Sequence, residues 1–184
     1  MSRITDQLPA AVAATTVLRR RFAATAPVAW DPVTAAAELL RQLGHLAVCL
    51  LREDGALPAS ADDPQRVIAD IGDELADIVL SAVSVAVLAD TTPEPPACAE
   101  PVRNAAVVLL RLQLDCGDLA EAALCHTGAR HTPTGTLPGI AAAAGAVLAG
   151  CDAFAAHRGL DLGAAFAAMV CDASRFLDLQ GVPR

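Results

Sequence analysis

Proline and glycine fall in clusters along this chain, and between the clusters it runs in uninterrupted segments of helical length. The breaks are "TAPVAWDP", "DGALPASADD", "DTTPEPPACAEP", "TGARHTPTGTLPG" and "HRGLDLG". This punctuation predicts a first helix through "TDQLPAAVAATTVLRRRFAA", with Thr5 as its cap. A second helix starts at Pro32, with Asp31 as N-cap and proline at the first helical position, where its missing N–H costs nothing. A third starts at Pro64 behind Asp63 and ends near Ala89. Beyond the proline-rich stretch come helices at roughly 102–126 and 139–157, then a last one ending near 179.

Composition decides how such helices can pack. Hydrophobic residues make up 54% of the 184, but aromatics only 3%, with no Tyr and one Trp. A core built from Ala, Leu and Val suits helices lying close together, whereas a β-sandwich would call for more Thr, Tyr and Phe. An all-α helical bundle is expected. The net charge of −8 excludes nucleic acid as a partner, because a polyanion is bound by displacing its counterions with Lys and Arg. The basic run "LRRRF" at 18–22 is too short for a nucleic-acid arm.

The longest apolar runs, "AAAAGAVLAG" and "IVLSAVSVAVLA", are shorter than a bilayer span, so no membrane partner is expected. At the N-terminus Asp6 comes early and Arg19, Arg20 and Arg21 follow the apolar part, the reverse of a secretory signal; a cytoplasmic location is expected. Cysteines 49, 98, 116, 125, 151 and 171 show no CxxC and no Cys/His ligand spacing. They read as reduced, mostly buried thiols.

The two sides of the proline-rich stretch look related. Setting "LGHLAVCLLREDGA" (43–56) over "CGDLAEAALCHTGA" (116–129) matches Gly44 with Gly117, Leu46 with Leu119, Ala47 with Ala120 and Leu51 with Leu124. With a small gap, "IGDELADIVL" then lies over "IAAAAGAVLA". The economical description is two related helical hairpins with flanking helices: an N-terminal half at 1–90, a linker at 91–101 and a C-terminal half at 102–184.

Two acidic constellations stand out against this apolar background. Asp70, Asp73, Glu74 and Asp77 fall within roughly a third of a helix circumference. Four like charges on one stripe repel, so the stripe either faces water or meets something positive. Asp115 falls in the middle of an apolar stripe of Val108, Leu112, Leu119 and Ala122. A carboxylate there is costly unless it finds a cation, or a partner such as Arg111 one turn back. Asp118 and Glu121 follow it around the helix. Gln42 interrupts the stripe of Leu39, Leu46 and Cys49 in the same way, and His45 reads as a packed histidine. Paired carboxylates on facing helices can hold Mg²⁺, whose remaining waters a triphosphate can replace. Such an ion neutralises phosphate charge and activates a water, which points to phosphoanhydride hydrolysis. Neither a G-x-S-x-G nucleophile turn nor a P-loop is present.

These residues also carry a family resemblance. "GDELADIVL" resembles the E-x-x-D motif on the second helix of MazG-like, all-α nucleoside triphosphate pyrophosphohydrolases. "LDCGDLAEAAL" resembles that family's first-helix E-E-x-x-E motif, and "AHRGLDLGAAFAAMVCDASRFL" its closing "GIDL" turn and N-x-x-R-type helix. The resemblance spans most of residues 30–180. It implies that Glu74 and Asp77 are metal ligands, and that Asp115 and Asp118 match two acids of the first-helix motif, whose first acid is Leu114 here. It assigns Asp172, Arg175 and Trp30 to substrate contacts, with Trp30 near a base, and Mg²⁺ or Mn²⁺ as the cofactor. The family's habit of assembling as dimers or tetramers makes this chain a fused pseudo-dimer, with a homodimer of it as one further assembly.

The chain departs from the family pattern in both halves. Arg41, Gln42 and His45 replace the helix-one acids of the first half, and Ala143 and Ala146 replace the helix-two acids of the second. Two arrangements follow. Glu74, Asp77, Asp115 and Asp118 meet in one composite catalytic site, or each pair stays with its own degenerate partner and no complete metal site exists. The first implies a Mg²⁺-dependent hydrolase splitting a nucleoside triphosphate into monophosphate and pyrophosphate. The second implies a non-catalytic binding or assembly module.

Overall fold

The structure is a computed structural model that describes residues 1–57, 68, 70–96, 104–129 and 135–183. The described residues form helices and no strand: a 3₁₀ turn at Thr5–Gln7, then α1 (Leu8–Ala23), α2 (Pro32–Glu53), α3 (Ile71–Leu88), α4 (Ala105–His126), α5 (Ile140–Arg158) and α6 (Leu162–Leu179).

Four helix starts are set by an Asx side chain that accepts from the first turn, as its short oxygen-bearing chain allows. Asp31 accepts from the Thr34 N–H at 2.7 Å, Asp70 from Asp73 at 2.9 Å, Asn104 from Ala106 at 2.9 Å and Asp161 from Ala164 at 3.0 Å. The expected cap at Asp31 with Pro32 behind it is present. Thr5 is not the cap of α1; its hydroxyl donates instead to Asp152 of α5 at 2.6 Å. The helix carrying the acidic motif starts at Ile71, capped by Asp70, while Asp63 and Pro64 lie outside the described residues. Asp70 is therefore explained locally, which leaves Asp73, Glu74 and Asp77 to account for.

α2 lies along α3 and α4 lies along α5; α3 also packs against α1, α5 and α6, and α2 against α4. α3 is the central helix. Every residue from Ile78 to Ala86 is buried, as an all-round apolar helix requires. The two sides of the proline-rich stretch share one continuous core, which includes Leu39, Leu46, Leu75, Ile78, Leu112, Leu119, Leu148 and Phe154. As a whole helix, α5 is apolar and long enough to cross a membrane by length and composition, and here it is largely buried in that core. Cys49, Cys116 and Cys151 are buried thiols as expected, whereas Cys125 is half-buried and Cys171 is exposed.

The first residues of the expected linker are not a free tether. The Glu94 N–H donates to the Ala141 carbonyl at 2.8 Å, which straps this segment across α5. Gly145 lies directly beneath: a Cβ there would stand 2.1 Å from the Glu94 carbonyl oxygen and 2.2 Å from its carbon. Because backbone cannot rotate away as a side chain can, Gly145→Ala is expected to cost roughly 2 kcal/mol or more, well beyond the helix-propensity gain of alanine. Urea denaturation reads this directly, with Gly44→Ala, which meets open space on α2, as the reference.

The N-terminus is clasped by two aspartates. Buried Asp152 accepts from the Ile4 N–H at 2.7 Å and the Thr5 N–H at 3.1 Å, and Arg3 stands 3.6 Å away. Asp161 accepts from the Ser2 hydroxyl at 2.6 Å, which with the Ala164 N–H holds its pKa down at about 2. These bonds bring α1 against α3 and α6, and so close one wall of the site.

Candidate functional site

Asp73, Asp77, Ser81 and Ser84 follow the i, i+4, i+8, i+11 stripe of α3, about 16 Å of helix at 1.5 Å per residue. That stripe forms the floor of a cavity of about 610 Å³. α1 contributes Arg19 and Phe22, the loop after it Thr25, Ala26, Pro27 and Trp30, and α2 contributes Glu38 and Gln42. α6 closes the cavity with Met169, Asp172 and Ala173. The lining has a double character. Four carboxylates, from Glu38, Asp73, Asp77 and Asp172, face a wall of aromatic and aliphatic side chains on which the Arg19 guanidinium lies 4.6 Å from the Trp30 ring centre and 5.1 Å from that of Phe22.

The acids sit uneasily together. Burial first, then the charges of Asp73, Glu74 and Glu38, push the Asp77 carboxyl up to about 7, with Arg41 opposing. Burial and then Asp73 push Glu74 to about 7 as well. Asp73 is raised by burial and by the negative charges of Asp70 and Asp172. Glu74 is 4% exposed; His45 Nδ1 stands 3.3 Å from its Oε2, yet that oxygen has no hydrogen-bond partner among the described residues. Burial and the Arg41 charge lower the His45 pKa, so at neutral pH the imidazole is uncharged and the contact is no ion pair.

Arg41 of α2 works against this charge. Arg41 pairs with Glu38 through both its Nε, at 2.9 Å, and its terminal nitrogen, and Gln42 Nε2 donates to the same carboxylate at 2.8 Å. Gln42 Oε1 is left buried without a partner. Glu38 was not among the residues expected from sequence. It stands one turn before Gln42 and two before His45 on the same face of α2, and projecting that helix at 100° per residue would have found it.

The four acids expected to form a composite site do not converge. Asp77 lines the cavity, and Glu74 lies one turn before it, behind the wall and against His45. Asp115 and Asp118 line no part of it. Asp115 is half-buried on α4 and faces α5, its Oδ2 being 3.5 Å from where a Cβ on Gly150 would stand. Its pKa is raised by burial and by Asp118 and lowered by Arg111, with no contribution from the acids of α3. Asp118 is exposed. Of the residues expected to touch substrate, Trp30 and Asp172 reach the cavity, while Arg175 is exposed and paired with Asp172 at 2.9 Å.

The donor chemistry of Glu38, Asp73, Glu74 and Asp77 is oxygen only, as a hard cation requires, and the orphaned Glu74 oxygen marks uncompensated charge. The side chains do not stand in chelating positions, however: among the described residues, no group of three or more His, Cys, Asp or Glu is placed to hold a metal ion. No known family model, curated protein or solved structure matches the chain.

Proposed function

We propose that this cavity binds a nucleoside triphosphate together with Mg²⁺ or Mn²⁺ and hydrolyses it to the monophosphate and pyrophosphate, with the site in the α2–α3 hairpin alone. The observation that carries the reading is Asp77 on the floor of a cavity that also holds Glu38, Asp73 and an aromatic wall, with Glu74, the other residue of the E-x-x-D pattern, buried one turn before it and both carboxyls pushed up to about 7. Burying like charges side by side is costly, and a cation against them offsets that cost.

Asp77 and Glu38, which line the cavity, with Asp73 at the rim, are the carboxylates that would turn toward an ion, and Glu74 behind the wall adds negative charge to their surroundings. The ion would supply charge neutralisation at the phosphates. The apolar wall around Phe22 and Trp30 offers a surface against which the base would lie. One carboxylate of the set orients the attacking water and accepts its proton as the water oxygen bonds to phosphorus and the bond to the pyrophosphate oxygen breaks; an acid near pKa 7 suits that exchange at neutral pH.

A second reading is favoured by the Arg41–Glu38 pair. A guanidinium already occupies the carboxylate that should face the ion, as expected of a non-catalytic binding module descended from such an enzyme. Pyrophosphate release from a panel of nucleoside triphosphates with Mg²⁺ or Mn²⁺ separates the two. The enzyme releases pyrophosphate, and Asp77→Asn lowers the rate by about 100-fold or more, the usual scale for a lost catalytic carboxylate. Nucleotide binding without any release leaves the module.

A further inference from the structure

Arg19 has no structural occupation that explains its position. Its neighbours in "LRRRF" have other fates: Arg20 is exposed, and Arg21 is buried in bonds to the C-terminal segment. Arg19 is half-buried, and its Nε is sealed from solvent without a hydrogen-bond partner. It forms neither a hydrogen bond nor an ion pair to any described residue; what holds it is ring contacts with Phe22 and Trp30 and the longer-range attraction of Glu38. It is also the one basic side chain on the cavity wall among the described residues. The sealed Nε is out of a ligand's reach, but the terminal N–H groups of the same guanidinium also meet no acceptor among the described residues, and the cavity beside them gives a ligand's acceptor access.

Resting on the nucleotide reading above, we propose that Arg19 reads the base, and that the substrate class is nucleotides whose base presents a ring carbonyl to it: guanine first, then uracil or thymine, over adenine. Contact with the Trp30 and Phe22 rings restricts the guanidinium, which lowers the cost of ordering its fork against a base. It sits on the apolar wall, where a base rather than a phosphate buries its surface, while the carboxylates take the cation-bearing end. A planar fork of donors pairs with the O6 and N7 acceptors of guanine, or with a single pyrimidine carbonyl. Adenine keeps the N7 acceptor but carries an amino donor where guanine carries O6, so one arm of the fork meets a donor and the bidentate pair is lost.

Trp30 is the only tryptophan, so intrinsic fluorescence reports on this cavity alone. The probes are the α,β-methylene analogues of GTP, UTP and ATP, and inorganic tripolyphosphate, each titrated with Mg²⁺ and cross-checked by equilibrium dialysis. In the parent protein the GTP analogue should bind about 10-fold or more tighter than the ATP analogue, the scale of one bidentate contact. In Arg19→Met, which keeps the stem, and in Arg19→Lys, which keeps the charge without the fork, that preference should collapse to within about twofold with tripolyphosphate affinity unchanged. Thermal melting establishes that each variant is folded. A purine preference that survives both substitutions overturns the proposal, and so does an equal loss of tripolyphosphate affinity, which would put Arg19 on phosphate. Absence of binding by every nucleotide in the parent overturns the nucleotide reading itself, and the proposal with it.

Discussion

Arg21→Met lowers the stability of this protein by about 3 kcal/mol or more, the range for removing one partner of a buried charged network. Arg21 is 6% exposed, on α1 between the cavity residue Arg19 and Phe22. Its Nε donates to the Pro183 carbonyl at 3.1 Å, and its terminal nitrogens donate to the Ser174 carbonyl at 3.4 Å, the Val182 carbonyl at 3.0 Å and Asp178 Oδ1 at 2.6 Å. This one guanidinium joins the Ser174 carbonyl in the last turns of α6 to the Val182 and Pro183 carbonyls beyond it, and folds the last residues back onto α1. Methionine keeps the apolar stem and removes all four of these bonds at once, so the C-terminal segment loses its tie to α1. Arg20→Met is the control: exposed and one residue away, it should shift stability by no more than about 0.5 kcal/mol. Urea denaturation of both variants decides it, and equal midpoints would refute the clasp. Because α6 carries Met169 and Asp172 into the cavity, the same change should loosen the site.

What sequence could give was governed by what acts locally. Helix positions followed from Pro and Gly and from short polar caps such as Asp31, because those effects are decided within one turn. Thr5 failed as a cap because a residue 147 positions away, Asp152, competes for its hydroxyl. The motif of α3 marked a helix whose acids do crowd together, with Asp77 on the cavity floor and Glu74 buried one turn before it, since like charges one turn apart in an apolar helix are anomalous in any fold. The partner was the part that could not be read. The composite arrangement paired the acids of α3 with Asp115 and Asp118 of α4 across the proline-rich stretch, whereas α3 lies along α2 and the carboxylate that shares the cavity with Asp77 from there is Glu38. Asp115 in its apolar stripe was anomalous too, but half-burial against Gly150, with Arg111 nearby, accommodates it. The arginines of "LRRRF" are alike in sequence and serve three purposes in space; nothing local distinguishes Arg19 from Arg21.

The acidic cluster makes stability fall as pH rises, and a divalent cation should reverse this. Glu74 and Asp77 are raised from 4.5 and 3.8 to about 7 by burial and by their neighbours' charge. Between about pH 4 and 7 the unfolded chain has released these protons and the folded chain still holds them, so the folded state binds more protons and loses stability with every step upward. The loss begins near the unfolded values, is complete above 7, and amounts to about 3 kcal/mol for the pair once coupling and solvent screening discount the full shifts. His45 works the other way. Its folded pKa lies below 6.5, so acid favours the unfolded chain and flattens the profile at its low end. Above pH 7.5 the carboxylates are ionised and held together, and an ion bound between them should raise the melting temperature as any native-state ligand does, by about 2.7 kcal/mol of stability at a hundred times its Kd. Asp77→Asn should melt higher than the parent at pH 8 without metal, show a shallower pH profile, and lose the response to Mg²⁺. Melting curves at pH 5 and pH 8, with MgCl₂ and with NaCl at matched ionic strength, read all three effects. If Mg²⁺ and NaCl act alike on the parent, the acids of α3 repel one another without holding an ion, and the hydrolytic reading falls with them.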